Sequence, residues 1–186
     1  MTEVKRAVLA VADLMALAAR TAPKGKGVDT ILIKILSGME LQALAACVEA
    51  IGREKKIGFF LRDAKNIADS DACILIGSTG GKAAGVNCGA CGFATCTGLE
   101  DAARQRVRAP ANFAGPNCAV RMTDLGIAIG SAVKTAQIHN VDNRIMYSGG
   151  VTAVDSGLLG KECTTAYAIP LSATGKNIFF DRVSAK

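Results

Sequence analysis

The sequence predicts an α+β fold, a single domain over residues 1–186 carrying an inserted glycine-rich cysteine loop. Three observations point there. Strand-like and helix-like apolar patterns interleave along the whole chain, with no internal repeat and no low-complexity linker. A length of 186 residues suits one domain with a full hydrophobic core. Half of the residues are hydrophobic and only 20% are charged, which excludes a disordered chain. An α/β arrangement is the neighbouring class.

Taken in order, Val4, Ala7, Val8, Val11, Leu14, Met15 and Ala18 recur at helical spacing and predict an amphipathic helix. It should stop near Arg20, because Pro23, Gly25 and Gly27 cannot continue it. Lys5 and Arg6 before an apolar stretch imitate an export signal, but Asp13 interrupts the stretch. No segment approaches the roughly 18 uninterrupted apolar residues of a membrane span, so a cytoplasmic, reducing location is expected. Thr30–Leu36 reads as a buried strand. Met39–Lys55 reads as a helix with Leu41, Leu44, Ala45, Val48 and Ile51 inward, and Cys47 with them. Arg62–Asp69 is a short helix and Ala72–Ile76 a covered strand. Gly77–Gly92 holds six glycines and is a loop. Thr97–Val107 is helical and Pro110–Pro116 a connector. Val120–His139 is a long apolar helix with a central position. Asn143–Tyr147, Ala166–Leu171 and Asn177–Phe180 are strands, with a short helix at Thr152–Leu158.

The cysteines carry the clearest chemical signal. There are seven, an odd number, so a secreted framework with every cysteine paired is excluded. Four form the pattern C-x2-C-x4-C-x21-C at Cys88, Cys91, Cys96 and Cys118. Four thiolates are the usual ligand set of an iron-sulfur cube, and a two-residue gap lets consecutive ligands wrap one corner while backbone N–H groups turn toward sulfur. Gly89 and Gly92 can take positive φ and bring the backbone close without a Cβ in the way. Phe93 is placed to shield such a site, and a helix starting near Thr97 would aim its positive end at the thiolate of Cys96. Structural zinc and free thiols stay open as alternatives, although Cys96 and Cys118 form no second zinc knuckle. Cys47, Cys73 and Cys163 read as small buried hydrophobes.

The run from Asn87 through Cys88-Gly89, Cys91-Gly92-Phe93 and Thr95-Cys96 into a helix resembles the four-iron domain of the corrinoid iron-sulfur protein and of membrane-associated electron-transport subunits of anaerobes. The resemblance implies that Cys88, Cys91, Cys96 and Cys118 hold a 4Fe-4S cluster within an embedded segment 87–118. In that family proline usually follows the fourth cysteine, whereas here Pro116-Asn117 precede Cys118. The whole chain is similar to a family of ferredoxin-domain proteins from archaea and anaerobic bacteria. Electron transfer with a redox partner protein is the function these likenesses imply.

A further resemblance concerns element order. The opening helix ending in Ala18-Ala-Arg-Thr-Ala-Pro-Lys24, the Asp124–Ala136 helix and the late Ala168–Lys176 stretch are similar to the nitroreductase fold. That likeness implies a three-layer α+β homodimer binding flavin mononucleotide (FMN) between subunits. Arg20, Lys24, Lys26, Lys176 and Arg182 would then surround the flavin phosphate, although the family's arginine-rich phosphate-binding opening is missing. The alternative is that these are solvated loop charges.

Other classes fall away. The formal charge of +6 comes without basic blocks or interleaved aromatics, so no nucleic-acid partner and no membrane partner is expected. Gly77-Ser-Thr-Gly-Gly-Lys82 imitates a nucleotide-triphosphate loop, but Ala83 stands where the metal-binding hydroxyl is required and the glycine spacing is short. Lys82 would sit near a cluster and favour its reduced form. His139, the one histidine, reads as a helix C-terminal or surface group. Asp63, Asp69, Asp71, Glu100 and Asp101 read as caps and solvated faces. No catalytic side chain emerges, so any chemistry rests on a cofactor. The expected function is 4Fe-4S electron transfer; a flavin-dependent oxidoreductase and a zinc-stabilised interaction module are the alternatives.

Overall fold

The computed structural model describes residues 2–106, 109 and 112–181. Val107, Pro110 and Arg182 lie outside them. Four strands form one sheet: β1 (Ile31–Ser37), β2 (Ala72–Ser78), β3 (Asp142–Asn143) and β4 (Thr165–Ser172). Their order is β1-β2-β4-β3, and every pairing is antiparallel. Among the described residues six α-helices accompany them: α1 (Glu3–Thr21), α2 (Gly38–Glu54), α3 (Gly58–Ala68), α4 (Cys96–Arg104), α5 (Ala119–Ile138) and α6 (Tyr147–Asp155).

Period-two alternation divides the sheet between two cores. Ile74 and Ile76 of β2, with Ile169 and Leu171 of β4, face α1 and α5. Cys73 and Leu75 of β2, with Ala166 and Ala168 of β4, face α2, α3 and α6. The result is a three-layer helix–sheet–helix α+β sandwich, with β2 buried along its whole length. Among the described residues no helix is long and apolar enough to cross a membrane.

Several local expectations shift. The buried stripe of α1 is Val8, Val11, Ala12, Met15 and Ala19, so Val4 and Leu14 are exposed rather than inward. The packed stripe runs at i, i+3, i+4, i+7 and is set by the contact with α5 and the sheet. Cys47 of α2 is exposed, not a core thiol, whereas Cys73 and Cys163 are buried as expected. Helix α3 starts at Gly58, ahead of the expected Arg62. Asp63 is no solvated carboxylate: it is buried and accepts the Ser148 hydroxyl at 2.6 Å and the Arg62 guanidinium at 2.8 Å.

The stretch 143–158 departs furthest. The expected strand at Asn143–Tyr147 shrinks to β3 and a single bridge from Met146 to Ala168. Helix α6 begins at Tyr147, five residues before the expected Thr152. The Gly149-Gly150 pair disguises this helix, because glycine is a poor helix former. Packing explains it: a Cβ on Gly150 would stand 1.9 Å from the Ala166 carbonyl oxygen. The expected strand at Asn177–Phe180 is a turn instead. There the Asn177 side chain accepts the Phe179 N–H and donates to Asp142, replacing strand pairing with local bonds.

Candidate metal centre

Between β2 and α4 the chain runs without regular structure and then turns into α4 at Cys96. Gly89 (φ +71°) and Gly92 (φ +86°) adopt the left-handed conformation that the cysteine spacing requires, and the Gly92 N–H closes the turn on the Gly89 carbonyl at 2.9 Å. Thr95 caps α4, its hydroxyl accepting the Gly98 N–H at 3.1 Å. Glu100, one turn into α4, accepts the Ala83 N–H at 2.9 Å and ties the start of the loop to the helix.

Asn87 locks Cys96 from two sides. Its side-chain oxygen accepts the Cys96 N–H at 2.8 Å, while its own N–H donates to the Cys96 sulfur at 3.3 Å. The Asn87 N–H holds the Cys96 thiol below its ordinary pKa; slight burial opposes this, and the Gly85 and Val86 N–H groups reinforce it. Asn87 itself sits at φ +47°, a conformation that few non-glycine residues other than asparagine adopt readily.

Cys118 arrives from elsewhere. It is the N-cap residue of α5, only 4% exposed, and its N–H donates to the Gly80 carbonyl at 2.8 Å. Cys88, Cys91, Cys96 and Cys118 line one narrow cavity of about 10 Å3, closed by Phe93, Leu99 and Ala83 among others. The structure therefore brings together all four cysteines of the sequence pattern. Two helix N-termini, those of α4 at Cys96 and α5 at Cys118, meet at this cavity and favour negative charge there. Among the described residues, no three Cys, His, Asp or Glu side chains are grouped to hold a single metal ion. The donor set fits a polynuclear cluster in its chemistry: soft thiolates only, with a backbone N–H already directed at one sulfur.

Below this centre a buried ion pair fixes the base of α5. Arg121 bonds Asp124 at 3.1 Å and reaches the Gly25 and Val28 carbonyls, while Asp124 accepts the Gly25 N–H at 2.7 Å. Asn87, Glu100 and Arg121 were not legible as site residues. An asparagine directly before the first cysteine was the available signal for Asn87; Arg121 and Asp124, three residues apart on one helix, gave none that separates them from a surface pair.

Of the five cations expected around a flavin phosphate, the four among the described residues are not gathered at one point. Arg20 binds Asp29 at 2.5 Å and the Ile31 carbonyl. Lys24 caps the end of α1 through the Ala19 and Arg20 carbonyls. Lys176 pairs with Asp181 at 2.7 Å. Lys26 points toward the cysteine loop, its ammonium 3.8 Å from where a Cβ on Gly85 would stand. Arg182 is outside the described residues.

This three-layer arrangement is a nitroreductase-like fold. The chain is similar over its full length to the nitroreductase CinD from Lactococcus lactis in complex with nicotinic acid, with a TM-score of 0.59, 12% identity and 90% of that chain covered. It is also similar to an FMN-dependent nitroreductase from Clostridium difficile R20291, with a TM-score of 0.53, 13% identity, and 95% and 78% of the two chains covered. At such identities the likeness establishes the fold alone. Residues 114–182 match the family described as uncharacterized proteins containing a ferredoxin domain (DUF2148). An uncharacterized protein from Archaeoglobus fulgidus is 46% identical over 175 residues, 93% of this chain and 90% of that one. The chain belongs to this ferredoxin-domain family.

Proposed function

We propose that this protein binds a 4Fe-4S cluster through Cys88, Cys91, Cys96 and Cys118 and transfers single electrons to or from a redox partner protein. The observation that carries the reading is the convergence of these four cysteines on one cavity although Cys118 comes from a different helix. A bound cluster would supply one-electron chemistry. The protein's own groups hold it and set its surroundings. Asn87 orients Cys96, Phe93 and Leu99 exclude water, and the N-termini of α4 and α5 offset the charge of the thiolates. Cys88 is exposed at the rim, which gives a partner an edge through which an electron can pass.

The test is spectroscopic. Protein purified under nitrogen should be brown, with broad thiolate-to-iron absorption near about 400 nm that bleaches on reduction with dithionite. A colourless protein that reconstitution with iron and sulfide leaves colourless refutes the reading.

A flavin-dependent oxidoreductase is the second reading, favoured by the fold and by an apolar groove between α5 and β4. Met122, Leu125, Ile129 and Tyr167 line that groove, whose volume is about 500 Å3, a size suited to a small cofactor. It requires a yellow cofactor released on denaturation and a dimer. The commitment of Arg20, Lys24 and Lys176 to partners within the chain counts against it.

A further inference from the structure

The Gly77–Lys82 segment, excluded above as a nucleotide-triphosphate loop, forms one wall of a second cavity. This cleft of about 720 Å3 is lined by Glu100, Ala103 and Arg104 of α4, and its volume is within the range of roughly 300–1,000 Å3 typical of small-molecule sites. Its floor is rigid. Thr164, 1% exposed, accepts the Gly80 N–H at 2.9 Å and donates to the Ser78 carbonyl at 3.1 Å. The Lys82 N–H closes the turn on the Thr79 carbonyl at 3.0 Å. Arg106 lies against the glycine turn: a Cβ on Gly81 would stand 2.8 Å from a nitrogen of its guanidinium.

Charge in the cleft is unevenly committed. Arg104 pairs with Asp101, and Glu100 is held by the Ala83 N–H. Lys82 and Arg106 remain, neither with an ion-pair partner among the described residues, and Glu162 is the remaining acid of the lining. Two cations without an ion-pair partner among the described residues, beside a glycine turn and Thr79, make a setting for an oxyanion. The geometry points to this cleft as a binding site for a small phosphate- or carboxylate-bearing molecule, with Lys82 and Arg106 as its binding cations.

The site is coupled to the metal centre by position. Lys82 adjoins Ala83 and Glu100 adjoins Leu99, and both of those neighbours line the cysteine cavity. The carbonyl of Gly80, between the lining residues Thr79 and Gly81, accepts the Cys118 N–H. The two sites therefore share the Lys82–Ala83 and Leu99–Glu100 peptide units as a common wall. The inference rests on the cleft itself and does not require the cluster reading.

Isothermal titration of the purified full-length protein with inorganic phosphate, pyrophosphate and citrate is the test. At least one should bind saturably at millimolar concentration or below; preference for the phosphates or for citrate decides which oxyanion the site takes. Lys82→Ala and Arg106→Ala should each weaken binding about tenfold, the loss of one charge-assisted bond. Glu162→Gln, which removes the opposing charge, should tighten it. No saturable binding of any of the three anions overturns the proposal, as does affinity indifferent to both cation substitutions or weakened by Glu162→Gln. Iron and sulfide content measured on the same samples keeps the two claims separate: anion binding without iron defeats only the cluster reading.

Discussion

Cys73 and Cys96 show how two regions of one molecule put the same side chain to opposite uses. Cys73 lies in the middle of the sheet, wholly buried beneath α2, α3 and α6, and burial pushes its thiol up to about 12. It is an inert filler. Cys96 stands at the first residue of α4, where the Asn87 N–H holds its thiol below the ordinary range. The sandwich excludes water and charge, whereas the 83–95 loop and the start of α4 turn backbone donors toward sulfur. Cys118, almost as buried as Cys73, belongs to neither face of the sandwich: it stands at the N-cap position of α5 and packs with Ala84 and Leu99 beside the cysteine cavity.

Cysteine substitutions break that comparison most severely. Serine at Cys88, Cys91, Cys96 or Cys118 should each abolish or grossly deplete bound iron, while Cys47→Ser and Cys73→Ala should leave the iron content of folded protein unchanged. Colorimetric iron assay across the series checks the division. Next in size is Arg121→Met. It leaves Asp124 buried without its cation and frees two carbonyls, so it should destabilise the protein by about 3–5 kcal/mol in urea unfolding. A loss well under about 1 kcal/mol would mean that the anchor between α5 and the 25–28 turn contributes little.

The smallest effect concerns Cys96 in metal-free protein. A lowered thiol pKa makes thiolate available at lower pH, so alkylation of Cys96 should reach half its maximal rate below the pH of an ordinary cysteine near 8.5. Asn87→Gly keeps the donating N–H and the left-handed backbone but removes the oxygen that holds the Cys96 N–H. The profile should then shift little, and cluster retention should fall by the equivalent of about 1 kcal/mol. An unshifted wild-type profile, read by mass spectrometry, would contradict the assigned environment of Cys96.

The sheet and the cysteine pattern were legible because each rests on local rules. β2 and β4 are short apolar runs, α5 is a long periodic one, and the positive φ of Gly89 and Gly92 was expected from the glycine placed after each of the first two cysteines. What escaped was set by contacts distant in sequence. Gly149-Gly150 reads as a breaker until the Ala166 carbonyl is seen against it. Asp63 reads as solvated until Ser148 reaches it across the fold. The inward side of α1 depends on where α5 lies, and Cys47 follows a helical pattern whose buried arc is narrower than its apolar one. The second cavity was hidden for the same reason: Lys82, Arg106 and Glu162 meet only after β4 pairs with β2.

The central claim is the cluster itself, and quantifying iron, acid-labile sulfide and zinc in protein purified under nitrogen tests it most directly. The account predicts about four irons and four sulfides per chain and little zinc. Stoichiometric zinc with neither iron nor sulfide would contradict it.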